Sequence, residues 1–335
     1  MDNKITKTRL SDFLSYEWIL MIIVAVIAVV VWELAYTIGA VRLTVGQEFK
    51  YYYDESLNAA GSSDLYSLTE KSLSYDVLKY NTETLTSEYN VLSIRLSIQE
   101  GDILITDSVE PEKDSTSTTN RAKFNVDNYS IYHLDKMLLD ARTYLKQFVK
   151  DGVKDVVDAE LDYANFDEKK IESYFLERMK GDNRFRSDKE KADGFILEKG
   201  RIETLAKEVK DFNYIMTSEN IPEQLFFTYT KHTQQLASSE VGSENETLYQ
   251  NLIEKEKSEG RENARYGINV EYLTGGKNNP SKYFKLKQTG TEEVVSAKNV
   301  VLMAFDFYEY QPHLQFETIS FINAIIRDCS NFLPA

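Results

Sequence analysis

From Ile19 to Trp32 the chain reads ILMIIVAVIAVVVW, an uncharged apolar run that is interrupted by Glu33 and resumes as LAYTIGAV to Val41. Few structures accommodate such a run. A spanning helix needs about 20 mainly apolar residues to cross roughly 30 Å of hydrocarbon, and the window 18–38 meets that length when Glu33 lies near the far interface. Trp18 at one end, with Trp32 and Tyr36 at the other, suits the two membrane surfaces, where aromatic rings collect, and Ile19 opens the apolar part of the anchor. A core helix of a globular domain carries an apolar stripe, whereas this run is apolar on every side. A cleaved signal peptide is the rival: Gly39-Ala40 offers a small-residue exit. Against it stand the long polar lead-in of residues 1–17 and the poor fit of Ile38 at the position three before the cut. No cysteine closes the run, so a lipoprotein anchor is excluded.

Orientation rests on Lys4, Lys7 and Arg9 before the run against Arg42 and Lys50 after it, a small positive-inside bias. The expected organisation is a cytoplasmic lead (1–17), a transmembrane anchor (18–40) and an extracellular body (41–335) on a single-pass cell-membrane protein. The bilayer is then the first partner.

Composition narrows what the body does. With 39 basic and 54 acidic side chains the formal charge is −15, which repels phosphate and argues against nucleic-acid binding. One cysteine, Cys329, forbids an internal disulfide framework, and three scattered histidines (His133, His232, His313) give no metal cluster. No metal and no cofactor are expected. A 42% hydrophobic share with 12% aromatics supplies a real core.

Periodicity in the body alternates between strand and helix. VRLTVGQ (41–47) and 76–85 look extended, 63–75 helical, and Ser87 offers an N-cap to a helix ending at Gly101. ILITD (103–107) is a short buried strand. Residues 109–127 are polar, placing a loop, and a possible lobe boundary, near 109–129. Helical spacing follows at 131–149, 168–180 and 188–212, where mixed charges suggest solvated faces and Gly194 and Gly200 argue against an unbroken helix. Residues 266–273, 283–288 and 299–307 read as extended, and Pro312 opens a last apolar helix. The order predicts a mixed α/β fold, a sheet with helices on both faces.

Catalytic signatures are missing. There is no G-x-S-x-G, H-E-x-x-H, P-loop or G-x-G-x-x-G, and Gly275-Gly276 reads as a loop tip. The pairs Asp102/Asp107 and Asp306/Glu309 are the remaining acid–base candidates, ordinary in a chain so rich in carboxylates. The expectation is a non-enzyme without catalytic residues. The clusters Tyr51-Tyr52-Tyr53 and Phe226-Phe227-Thr228-Tyr229 suit either a ligand cleft or plain packing.

The string Gln99-Glu100-Gly101-Asp102-Ile103-Leu104-Ile105-Thr106-Asp107 resembles an element of bacterial extracellular solute-binding proteins that closes a helix and starts a strand at the cleft. The N-terminal span followed by a strand, the stretch RMKGDNRFRSDKEK (178–191) and the ending FDFYEYQPHLQFETISFINAII are similar to membrane-anchored relatives that accompany sugar-type ABC permeases. The resemblance implies a periplasmic-binding-protein-like body, an ABC transporter permease as partner and a small solute such as a sugar as ligand, captured by closure of two lobes. The chain departs from the family in lacking a lipobox cysteine and in its charged helical middle, so a non-binding, membrane-anchored scaffold of the envelope is the alternative. No ligand residue transfers from the family. Strand-end position and chemistry alone single out Gln47, Tyr51, Asp107 and Tyr229.

Overall fold

The computed structural model describes residues 11, 18–39, 45–54, 63–85, 101–107, 131–153, 162–180, 182, 184–228, 264–284, 297–298, 300–306 and 312–333. The chain divides into two compact units, Met1–Leu43 and Thr44–Ala335.

The first unit holds helix α1, Trp18–Gly39, 22 residues of backbone or about 33 Å at 1.5 Å per residue. Its side chains are described from Trp18 to Glu33. They are exposed on every side, the large apolar ones by 47% at Met21 up to 70% at Trp32. Among the described residues no helix is long and apolar enough to cross a membrane.

The second unit is built on one six-stranded sheet, in the order β2-β1-β3-β6-β5-β4. The strands are β1 (Glu48–Asp54), β2 (Lys79–Leu85), β3 (Ile103–Asp107), β4 (Phe226–Thr228), β5 (Arg265–Asn269) and β6 (Val300–Ala304). The first three run parallel, with Tyr51 beside both Thr82 and Ile103, and β6, β5 and β4 complete the sheet antiparallel to their neighbours. The helices are α2 (Ser63–Leu73), α3 (Leu134–Lys146), α4 (Glu168–Arg178), α5 (Asp188–Thr217) and α6 (Glu317–Cys329). The mixed α/β class is as expected.

The sheet is buried on both faces. Phe49, Tyr51, Tyr53, Ile103, Ile105, Leu302 and Ala304 face a large core shared with α2, α3, α5 and α6. Tyr52, Leu104, Val301, Met303 and Phe305 form a smaller cluster on the other side. Helices α2–α6 join the larger core; the helix expected at 87–101 and the loop at 109–127 lie outside the described residues. Strands that come before and after 109–129 pair directly in the one sheet, Leu104 with Met303 and Ile105 with Leu302.

Several boundaries differ from expectation. The first described strand is Glu48–Asp54; of the stretch 41–47 expected to be extended, Val45–Gln47 forms a 3₁₀ turn and 41–44 lie outside the described residues, while Tyr51 and Tyr53 on one face and Tyr52 on the other make EFKYYYD a doubly buried strand. α5 runs 30 residues through both glycines, started by a capping box between Ser187 and Glu190. At Gly194 a Cβ would lie 2.3 Å from the Phe185 ring, so this glycine makes room for an aromatic rather than ending a helix. Pro312 opens a single 3₁₀ turn, Pro312–Leu314, and α6 proper starts at Glu317. Gly275-Gly276 is pinned to the end of α6: Gly275 bridges Ser330, and a Cβ on Gly276 would fall 2.2 Å from the carbonyl carbon of Cys329.

Candidate functional site

The densest chemistry lies where the parallel strands begin. Arg201 projects from α5 into the protein with its side chain 3% exposed. Its Nε donates to Glu317 Oε1 at 2.8 Å and to Asp76 Oδ2 at 3.1 Å, its Nη1 to Tyr144 Oη at 3.2 Å, and its Nη2 to the His313 carbonyl at 2.6 Å. Glu198, one turn earlier, lies 3.7 Å from Arg201 Nη1 and accepts from Arg178 Nη2 at 2.5 Å. Two guanidiniums thus face three carboxylates. One side chain ties together α3, α5, α6 and the turns before β2 and α6. The mixed charges of 188–212 suggest a solvated face, but Glu198, Arg201 and Glu208 are buried. The only hint was their spacing, shared with Ile202, Leu205 and Val209.

Burial and the surplus carboxylate set the protonation states. Desolvation outweighs the Arg201 guanidinium at Asp76 and, with Glu317 and Glu198 nearby, lifts its carboxyl to about 7. Asp102, buried beside this cluster, rises to about 8 through desolvation, although its Oδ2 accepts from the Lys50 amide at 2.8 Å. His313 stacks on Tyr144 with ring centres 5.4 Å apart, and desolvation, then the two arginines, push it down to about 4. It is a neutral imidazole at pH 7. Burial raises the Cys329 thiol to about 12, so it stays protonated.

The strings that carry the family resemblance meet at this edge. Arg184 holds Asp182 through paired bonds and reaches Gln47 Oε1 at 2.8 Å. Gly46 abuts Leu314, where a Cβ would lie 3.3 Å from the leucine side chain. Gln315 Nε2 donates to the Gly101 carbonyl at 3.3 Å, and Phe305 N to the Asp102 carbonyl at 3.0 Å. The segments around 46–50, 101–102, 178–184 and 313–317 therefore form one interlocked knot.

The predicted ligand residues are not brought together. Gln47 belongs to the knot, at the amino ends of the strands. Tyr51 is 1% exposed in the larger core, against Tyr53 and Phe321. Asp107 ends β3 opposite Val300, at the carboxyl ends of the parallel strands. Counted through the Tyr51–Ile103 pair, Gln47 and Asp107 stand more than about 20 Å apart at 3.3 Å per residue. Tyr229 lies outside the described residues, as does Glu309. The acid pair Asp102/Asp107 spans the whole of β3, about 16 Å, beyond the separations that serve glycoside hydrolysis. Trp18, Ile19 and Trp32 are exposed at 49%, 55% and 70% on α1; the Tyr36 side chain lies outside the described ones.

The order β2-β1-β3 reverses direction between β1 and β3, and open α/β sheets bind ligands outside the carboxyl ends of strands at such a reversal. Thr106 sits there, fully buried, its hydroxyl without a hydrogen-bond partner among the described residues. Among the described residues no group of three or more His, Cys, Asp or Glu side chains is placed to hold a metal ion.

No protein-family model matches this chain, and no curated protein or solved structure matches it either.

Proposed function

We propose that this protein is a membrane-tethered, non-enzymatic accessory subunit of a solute-uptake system, held by α1 and displaying Thr44–Ala335 outside the cell as an interaction body for an ABC-type permease. The observation that carries the tether is α1. Its backbone runs 22 residues, about 33 Å at 1.5 Å per residue, and from Trp18 to Trp32 its side chains are apolar or aromatic and exposed; this supports a tether although the described part of the helix falls short of a full span. The resemblance to permease-associated, membrane-anchored proteins supports the partner. The knot supports a rigid body, since it locks four helices and three strand ends without meeting the other candidate ligand residues.

Solute capture, with a sugar as the leading class, is the second reading, favoured by the reversal between β1 and β3 and by Asp107 and Thr106 beside it. Closure of two lobes is disfavoured, because both halves of the chain share one sheet.

Two experiments test these readings. Alkaline carbonate washing should leave the full chain in the membrane pellet, and protease added to intact cells should remove the body; release by carbonate, or protection until lysis, defeats the tether. Thermal unfolding with panels of sugars, peptides and amino acids separates the two roles. A ligand at 100 times its dissociation constant adds about 2.7 kcal/mol, so a clear upward shift selects capture. A flat panel together with recovery of a permease from detergent extracts selects the interaction body.

A further inference from the structure

We propose that the outward face of α5 is the seam of a symmetric homodimer, in which two copies of α5 cross antiparallel at Gly200. This goes beyond the tether and does not depend on it. Gly200 sits mid-helix, where glycine costs about 1 kcal/mol relative to alanine, yet apart from its own helix backbone nothing among the described residues lies within 4 Å of the position a Cβ would take. Gly194, six residues earlier, has its space filled by Phe185 and Phe175. Among the described residues the space beside Gly200 is therefore open. Beside it Ile196 and Leu197 are 65% and 67% exposed, large apolar side chains on the approach to a position where a second backbone can come close.

The charges say which partner fits. In an antiparallel crossing centred on Gly200, residues equally far before and after it face each other. Asp193 then meets Lys207, Glu190 meets Lys210, and Arg186 meets Tyr214; the charged members are exposed and Tyr214 is 43% exposed. Two opposite-charge pairs and a cation over an aromatic ring result, each occurring twice because the axis repeats it. Ile196 and Leu197 meet Thr204 and Glu203, which flank the crossing. Glu190 keeps its capping role toward Ser187 and still presents its charge. A parallel pairing instead sets Lys207 against Lys207 and Asp193 against Asp193. Complementarity of a helix with its own reverse is what a second copy supplies.

A single helix crossing is a small interface, so the dimer is weak and is measured on the full chain in detergent at concentrations into the hundreds of micromolar. Sedimentation should show a concentration-dependent monomer–dimer equilibrium. Lys207→Asp should weaken it about tenfold, and adding Asp193→Lys should restore it. Under mild oxidation Gly200→Cys should give a product of twice the chain mass. Lys210→Cys should not, because its two copies lie about 30 Å apart along the antiparallel seam at 1.5 Å per residue; the Glu190→Cys/Lys210→Cys double variant should. The native Cys329 is buried, and unaltered protein serves as the blank. A strictly monomeric chain, cross-linking by Lys210→Cys alone, or a Gly200→Cys product only with a different protein each overturn the proposal. Circular dichroism confirms that every variant is folded.

Discussion

α1 and α6 are both rich in isoleucine and valine or phenylalanine, yet one is exposed along its described length and the other is buried on nearly every side. In α6 Ile319, Phe321, Ile322, Ile325 and Ile326 are all inaccessible. The difference lies in the polar residues between them. Ser320 bonds Tyr75, Asn323 donates to the Glu208 carbonyl at 2.7 Å and to its carboxylate at 2.8 Å, and Arg327 spans Glu208 and Asp211. Glu317 takes Arg201. Each contact fixes the rotation and depth of α6 among its neighbours, because a buried polar group left unpaired costs more than its bond gains. Between Trp18 and Trp32, α1 has no polar or charged side chain to specify such a position. Hydrophobicity draws α6 out of water, and its buried polar partners decide where in the protein it packs.

One substitution placed in both helices tests this contrast at its widest. Ile322→Arg puts an unpaired charge in the core and should prevent folding, read as loss of soluble-phase circular dichroism and of a cooperative melt. Ile27→Arg should leave the melt of the body unchanged while weakening membrane retention, since arginine at the centre of a span costs about 2.5–3.5 kcal/mol on insertion scales. An Ile27→Arg variant that destabilises the body and stays in the carbonate pellet would break the comparison.

The polar lock of α6 can be opened directly. Arg201→Met leaves Glu317, Asp76 and Glu198 short of a cation and should cost about 3–5 kcal/mol in chemical denaturation. Arg201→Met with Glu317→Gln should recover part of that loss, because it removes a stranded charge. A single-variant loss under about 1 kcal/mol would mean that solvent reaches the cluster.

The sequence displayed these two regions unequally. ILITD at 103–107 was legible to the residue, because a short apolar run bounded by Gly101-Asp102 and an acidic stretch has one reading. The tyrosines at 51–53 were ambiguous: a strand buried on both faces loses the alternation that identifies strands, and their hydroxyls suggested a ligand surface. Arg201 was invisible, since Arg-Ile-Glu-Thr-Leu-Ala-Lys-Glu-Val has the look of a solvated amphipathic helix, and only long-range partners such as Asp76 and Glu317 explain its burial. Asp102 illustrates the same limit. Its neighbours in sequence mark a helix end, whereas its partner is the amide of Lys50, fixed by the pairing of β1 with β3.

Protonation sharpens the lock at a smaller scale. Asp76 and Asp102 have folded-state values raised to about 7 and about 8, above those of the unfolded chain, so the folded state binds more protons and their contribution is lost as pH rises. His313, lowered to about 4, acts oppositely, adding stability between about pH 4 and its ordinary value near 6.5. The two carboxyls outnumber it, and above pH 6.5 they act alone, so stability should fall from pH 6.5 to 8. Each group contributes a slope of at most about 1.4 kcal/mol per pH unit. Asp102→Asn keeps an acceptor for the Lys50 amide and should flatten the decline between pH 7 and 8. A wild-type melt that rises across that interval would show that the buried carboxyls are already ionised.

The smallest effect compares the two glycines of α5, where occupied and open space stand six residues apart. Gly194→Ala drives a methyl into the Phe185 and Phe175 rings, 2.3 and 2.8 Å away, and should cost about 1–3 kcal/mol. Gly200→Ala meets nothing among the described residues and should stabilise the monomer by up to about 1 kcal/mol through helix propensity alone. Both are measured by denaturant unfolding at low protein concentration, where self-association is negligible. At high concentration the sign at Gly200 should reverse, because the added methyl separates two backbones at the crossing while leaving each body more stable. A gain that is the same at every concentration would leave the glycine with no partner to accommodate.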